Sequence, residues 1–503
     1  MIKSQVTKFR YVIPIMLLYG IISLTGMFHH ELFSEEAQQL TISRDSSSVF
    51  DVYKNMLYEG HVTLWNTILF LITHYISAKP VYMQLFHLLV INCAVFIFLW
   101  YAPFNLPVKT LIIFGCYFLF VYSIISRNYA LGILLLFVCC VLMANPAKNM
   151  MAISILVVLM CFTHLFYVFA AIGIFAFLFY YSIGKKELYG RFAVFTGLFL
   201  FGAVCAFLQT RRIPGDSIVH VKTGLSWLNI HDLSFAIICF ARGYITIPPF
   251  NQQYFWDKQY IQYLPVIIGI LSAVSLFTIT LVFLYKSRKA LLFYLPSVAL
   301  LTVFFATSGM AGSRYFGLFF IFFIAALWLA YYDGVVIFPE GNTSGIKRIL
   351  PQVFIYLILI NQLITGIFMY SRDYKQPFSQ AKNTIIYLQA NQLDKGLLVF
   401  DGYHSIPALS AYFGRKIYCL DINQVCSFCI WKRAYNPLHP KPLIDEISSS
   451  PYADTLKEFT LVTNRGNAVT NSTIYNFKKL ASFEGPVVDG EDFYIYKVTK
   501  IQR

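Results

Sequence analysis

Long apolar runs separated by short polar loops make up the first 370 positions. Runs at 10–28, 81–101, 109–125, 128–145, 149–163, 164–182, 191–209, 260–285, 290–307, 313–333 and 349–370 read as helices that cross a bilayer core, which takes roughly 17–25 residues. One more run, 62–78, is short, carries His74 and is entered by polar "YEGH" at 58–61, which predicts an interfacial helix. From 371 onwards the pattern changes. "SQAKNTIIYLQANQ" (379–392) and "SIPALSAYF" (405–413) have helical periodicity. "GLLVF" (396–400), "KIYCL" (416–420), "FTLVT" (459–463) and "FYIYKV" (493–498) read as strands. The expected architecture is a polytopic α-helical membrane protein with about eleven spanning helices and interfacial helices in its first outer loop, followed by a small C-terminal extracytoplasmic α/β domain. The boundary falls at residues 1–370 and 371–503.

Composition agrees with this. The chain is 58% hydrophobic and only 13% charged, where soluble domains carry about 25% charged residues. The net charge of +15 would suit a nucleic-acid partner, but Lys and Arg sit mainly in short loops between apolar runs, so no nucleic acid is expected. If 62–78 does not cross, the cytoplasmic loops hold Lys109, Lys148, Lys185, Lys186, Arg191, Lys286, Arg288, Lys289, Lys347 and Arg348. If it crosses, all of these move outside and the positive-inside rule fails. The N-terminus is then cytoplasmic, in a plasma (inner) membrane protein whose tail is extracytoplasmic. The first apolar run is longer than a signal-peptide core and lacks a small-residue cleavage site, so it reads as a retained helix. No internal repeat is visible. Cys426 and Cys429 form a lone CxxC, for which a disulfide or free thiols are favoured over metal.

The acids are unevenly placed. Glu31, Glu35, Glu36, Asp45, Asp51 and Glu59 crowd the first outer loop, and none follows until Glu187. Glu35 and Glu36 could be a solvated pair at a helix start. Their neighbours Arg44 and His61, with Arg127 in the next outer loop "SRNYAL" (126–131), suggest transfer chemistry instead: a carboxylate takes a proton while cations hold a phosphate. Arg314 in "GSRYFG" (312–317) repeats the arrangement, and Arg242 lies in the long outer segment 210–259 beside Arg211, Arg212, Asp216, His220 and Asp232. For each arginine the plain alternative is an interfacial anchor to lipid phosphates. Asn471-Ser-Thr is a sequon that matters only in a eukaryotic host.

The stretch "EEAQQLTISRDSSSVFDVYKNMLYEGHVTLW" (35–65), with "SRNYAL" and "GSRYFGLFFIFFIAALWLA", resembles the GT-C membrane glycosyltransferases. The resemblance is nearest to the bacterial lipid A aminoarabinose transferases and the protein O-mannosyltransferases, and covers roughly residues 10 to 370. In that family an acidic pair opens the first outer loop, its first member usually an Asp acting as base; Glu35 takes that place here, with Glu36 as second acid. The family's "GHPP"-like segment appears as "GHVTLW", keeping His61 without the prolines. The resemblance implies a polyprenyl-phosphate-linked sugar donor, membrane lipids as surroundings, and a glycan, lipid or protein acceptor whose hydroxyl inverts the anomeric carbon. His61, Arg127, Arg242 and Arg314 would converge on the lipid phosphate, with Arg44 nearby. It leaves room for a divalent cation, though the sequence offers no dedicated ligand cluster. Two other readings stay open. A transporter or flippase would place ionisable groups inside its spans, near the bilayer midplane, and these spans have essentially no acids. A polysaccharide polymerase or ligase would need neither the paired acids nor a soluble tail domain.

Overall fold

The computed structural model describes residues 2–211, 214–218, 228–310, 312–335, 346–435, 442–450, 457–466 and 473–501, with the side chains of 2–8 and 346–351 excepted. Arg212, His220 and Asn471 of the sequon lie outside these residues, as do the side chains of Lys347 and Arg348. The helices run α1 (Ile2–His29), α2 (Ser34–Asp45), α3 (Val49–Asn55), α4 (Leu64–Tyr75), α5 (Pro80–Tyr101), α6 (Leu106–Ile113), α7 (Tyr129–Leu142), α8 (Pro146–Thr163) and α9 (Leu165–Ser182). They continue with α10 (Tyr189–Arg211), α11 (Ile230–Arg242), α12 (Val266–Leu284), α13 (Arg288–Ser308), α14 (Ser313–Tyr331), α15 (Ile346–Lys375), α16 (Ala381–Ala390), α17 (Ile406–Phe413) and α18 (Leu443–Ser449).

Among the described residues, nine helices are long and apolar enough to cross a membrane. Two of the expected spans take another form. Helix α7 has only 14 residues, about 21 Å at 1.5 Å per residue against a core of roughly 30 Å. The run 109–125 breaks into α6 and a π-helical turn, Tyr117–Val121. The break lies where Gly115 meets Gly366 of α15: a Cβ on Gly366 would stand 3.0 Å from the Cys116 nitrogen. Two backbones this close leave no room for side chains, and hydropathy does not register that. Helix α4, 12 residues long, is too short to span and packs on α2, as an interfacial helix would. Helix α11, in the segment read as an outer loop, packs against α12 and α13.

The helix ends form two sets. At one end Arg191 donates to the Ala147 carbonyl (2.9 Å), Lys289 pairs with Asp333 (2.5 Å) and reaches the Tyr181 ring, and Lys109 Nζ bonds the Leu99 carbonyl (2.7 Å). The described cations that the sequence grouped on one face thus share one end of the bundle. The opposite end carries α2, α4 and the C-terminal domain.

That domain holds one six-stranded sheet: β1 (Leu398–Asp401), β2 (Ile417–Cys419), β3 (Gln424–Cys426), β4 (Glu458–Thr463), β5 (Tyr475–Phe483) and β6 (Phe493–Lys500), in the order β3-β2-β1-β4-β6-β5. Strand β1 pairs in parallel with β2 and β4; the remaining pairings are antiparallel. Alternation separates its faces. Val399, Tyr418, Leu461 and Val498 pack with Leu443 and Ile447 of α18. Leu398, Phe400, Ile417, Val462 and Ile495 face α16 and α17, in one core with Leu40 of α2 and Trp65 and Leu69 of α4. The first loop is therefore clamped between membrane bundle and sheet domain.

Candidate functional site

A cavity of about 890 Å³ opens between the bundle and the sheet domain. Leu165, Phe166, Phe207, Phe304 and Met310, from the ends of α9, α10 and α13 and the turn after α13, form its apolar part. Among the described residues its cations are Arg127, Arg211, Lys258 and Arg314. The sheet domain closes it with the loops after β1 and β4 and residues 488–491.

Glu35 lines this cavity on the first turn of α2, its side chain 42% exposed. Its Oε2 stands 2.6 Å from Arg314 Nη2, and its carbonyl accepts from Arg127 Nη1. Arg314 also donates to Asp257 (3.0 Å) and to the Tyr315 hydroxyl (3.0 Å). Asp257 sits at φ 59°, a left-handed conformation that Asp tolerates better than most residues, and its second oxygen takes the Ser313 N–H at the start of α14. Burial pushes the Asp257 carboxyl above its ordinary pKa against the pull of Arg314. The Nε atoms of Arg127 and Arg314 are buried without an acceptor among the described groups, so both arginines keep donor capacity.

The acids of the first loop part company. Glu36 does not line the cavity: its oxygens take the Ser126 N–H (2.5 Å) and His30 Nε2 (2.8 Å), while His30 Nδ1 meets Asp373 of α15 (3.0 Å). Asp45 pairs with Arg44, and Asp51 receives the Ser47 N–H in front of α3. Glu59 lines the cavity, accepting from Gln38 (2.8 Å), Gln39 (3.1 Å) and Trp431 (2.6 Å). Burial raises its pKa, opposed by the Gln38 hydrogen bond and Arg127.

Of the residues expected at the phosphate, His61, Arg127 and Arg314 line the cavity. His61 is pushed down to about 3 by burial and then by Arg127 and Arg314, so it offers hydrogen bonding and not charge. Its ring lies 5.0 Å from that of His164. Two expectations need correcting. Arg44 turns to the sheet domain, donating to the Ser410 carbonyl (2.8 Å) and hydroxyl (2.9 Å) of α17. Arg242 is engaged in fixing its own loop: it donates to Gln259 (2.8 Å), the Asp257 carbonyl (3.0 Å) and Gln262 (3.0 Å), over the Phe316 ring. Neither lines the cavity. The structure adds Asp257, Lys258, His164 and Arg211, the last read from sequence only as an anchor. Glu491 also joins from across the domain interface: it accepts the Ser34 N–H (2.9 Å) and so caps the helix that carries Glu35, as well as the Ser379 hydroxyl (2.7 Å). Among the described residues no group of three or more His, Cys, Asp or Glu is placed to hold a metal ion, and Cys426 and Cys429 are free thiols.

No protein-family model and no curated protein matches the sequence. Among solved structures, the chain is similar to ArnT from Cupriavidus metallidurans bound to undecaprenyl phosphate. The match has 12% identity and a TM-score of 0.45, and covers 97% of this chain and 98% of that one.

Proposed function

We propose that the protein is an inverting GT-C-type glycosyltransferase of the plasma membrane, moving a sugar from a polyprenyl-phosphate donor to an acceptor hydroxyl on the extracytoplasmic side. The observation that carries this reading is the joining, in one cavity, of a carboxylate (Glu35), four cations and an apolar flank built from the ends of spanning helices. The flank suits an isoprenoid entering from the bilayer, and the cations suit its phosphate. The acceptor oxygen attacks the anomeric carbon as its proton passes to Glu35. The bond from that carbon to the phosphate oxygen breaks, and the electron pair leaves with the lipid phosphate. Negative charge then disappears from Glu35 while it grows on the phosphate. Arg314, paired with Glu35 beforehand, can turn its charge to the leaving group, beside Arg127, Arg211 and Lys258. Glu36 is a positioning residue in this scheme, because its oxygens are already engaged.

Labelled undecaprenyl-phosphate sugar given to the purified protein, with product release followed, tests the reading. Glu35→Gln should cost on the order of 10²–10⁴-fold in turnover with donor binding intact. Wild-type turnover in that variant would remove Glu35 from the mechanism.

A further inference from the structure

We propose that the acceptor is a glycan, and that one of its pyranose rings, neutral or amino-substituted, docks on the sheet-domain wall of the cavity against Trp431 and His404. This rests on the glycosyltransferase reading above and adds the chemical class of the second substrate.

Charge is the first reason. The cavity cations Arg127, Arg211, Lys258 and Arg314 all come from the bundle and its loops. Those four stand against the acids Glu35, Glu59 and Asp257 on the same wall, whereas among the described residues the sheet domain contributes no Lys or Arg to the lining and supplies two acids, Asp489 and Glu491. An anionic phosphate is drawn to the first wall, and the second favours an uncharged or cationic group.

Shape is the second reason. The Trp431 and His404 rings both line the cavity and stack on one another, centroids 5.3 Å apart and planes within 14°, which fixes an aromatic pair on the cavity wall. A pyranose offers a matching face of C–H bonds, with hydroxyls around its edge. Asn464 lines the same wall for those hydroxyls; its Nδ2 donates to the Gly490 carbonyl (3.3 Å) and to the Ser405 hydroxyl (3.2 Å), which itself donates to that carbonyl (2.9 Å).

Topology gives a third reason. From β1 the chain goes to β2 on one side and later to β4 on the other, so the sheet reverses its direction of build between β1 and β4. The loops leaving those two strands form the crevice in which open α/β sheets bind ligands. Gly402, at φ 123°, makes the sharp exit from β1, and a Cβ there would lie 2.5 Å from Asn464.

The aromatic pair is also tied to Glu35. Trp431 Nε1 donates to Glu59, which accepts from Gln38, and Gln38 lies one helical turn from Glu35, about 5–6 Å between Cβ atoms. A ring resting on Trp431 is thereby held on the same rigid unit as the group that takes its proton.

Saturation-transfer NMR on the full chain in nanodiscs tests this, with methyl β-glucopyranoside, methyl β-glucosaminide and methyl β-glucuronide as probes and undecaprenyl phosphate binding measured on the same samples. The first two glycosides should bind and the glucuronide should bind at least about tenfold more weakly. Trp431→Leu should weaken glycoside binding about tenfold, Trp431→Phe should retain most of it, and both should bind the lipid normally. If Trp431→Leu does not fold, His404→Ala carries the same expectation. Lipid binding without glycoside binding, equal binding by Trp431→Leu (or by His404→Ala in its place), or a preference for the glucuronide would each sink the subsite while leaving the enzyme reading standing. Failure of wild-type protein to bind the lipid would sink the enzyme reading itself.

Discussion

Glu35 and Glu36 are adjacent, yet about 100° of helical rotation separates their directions. One faces the cavity; the other is sealed between His30 and Ser126. Burial works against charge on His30, but Asp373 and Glu36 overcome it and raise its pKa to about 10. A raised imidazole pKa contributes stability that is complete below the ordinary value near 6.5 and is lost as pH climbs through about 10. His30→Gln leaves two buried carboxylates without their cation, so it should cost about 3–5 kcal/mol at neutral pH. Thermal unfolding of variant and wild type across that window checks it: the gap should narrow toward alkaline pH. A gap independent of pH would mean that His30 is neutral in the fold. Glu36→Gln should show mainly as lost stability and Glu35→Gln as lost turnover. The reverse pattern would exchange the two roles.

At the scale of the element, α2 is unusual: Glu36 through Ser43 are all buried, and half of these eight residues are Gln, Thr or Ser besides the Glu. A polar helix survives burial only when its side chains find partners. Gln38 bonds Glu59 and the Cys429 carbonyl, Gln39 bonds Glu59, and the Thr41 and Ser43 hydroxyls return to carbonyls four residues back. Its N-terminus depends on Glu491, some 450 positions away in sequence. Glu491→Ala should therefore lower stability by about 1 kcal/mol, the usual worth of a helix cap. Turnover should fall further, on the order of 10²-fold, because the Glu35 turn loses its anchor. Donor binding should stay near wild type. Unchanged turnover would show that the first turn of α2 is set without the sheet domain.

For the whole molecule, the two sets of helix ends fix which loops share a side, and the positive-inside rule predicts which side is cytoplasmic. With Cys93, Cys205 and Cys426 replaced by Ser, Lys79→Cys should react with an impermeant maleimide from outside intact cells, and Lys148→Cys only after lysis. Labelling of both from one side would contradict the fold; exchange of the two would invert the orientation.

Composition and periodicity by themselves determined that the chain is a membrane protein, where its long helices lie, that 62–78 does not cross, and that a mixed α/β unit follows. These properties depend on hydrophobic length and alternation, which are local. Four of the six strands were legible in the same way. Strand β3 escaped because it has only three residues, and β5 because charged and polar residues interrupt its alternation. The gathering of acids in the first loop drew attention to Glu35, which lines the cavity. Only the tertiary structure could separate it from Glu36, because that depends on which elements pack on either side of α2. The same holds for the arginines. Arg127, Arg242 and Arg314 look alike at helix ends in sequence, yet Arg242 is held by Gln259 and Gln262 while Arg314 meets Glu35 and Asp257. Asp257 and Trp431 carried no local mark, since their neighbours come from segments far along the chain. Pattern reports what a residue is; long-range packing decides what it faces.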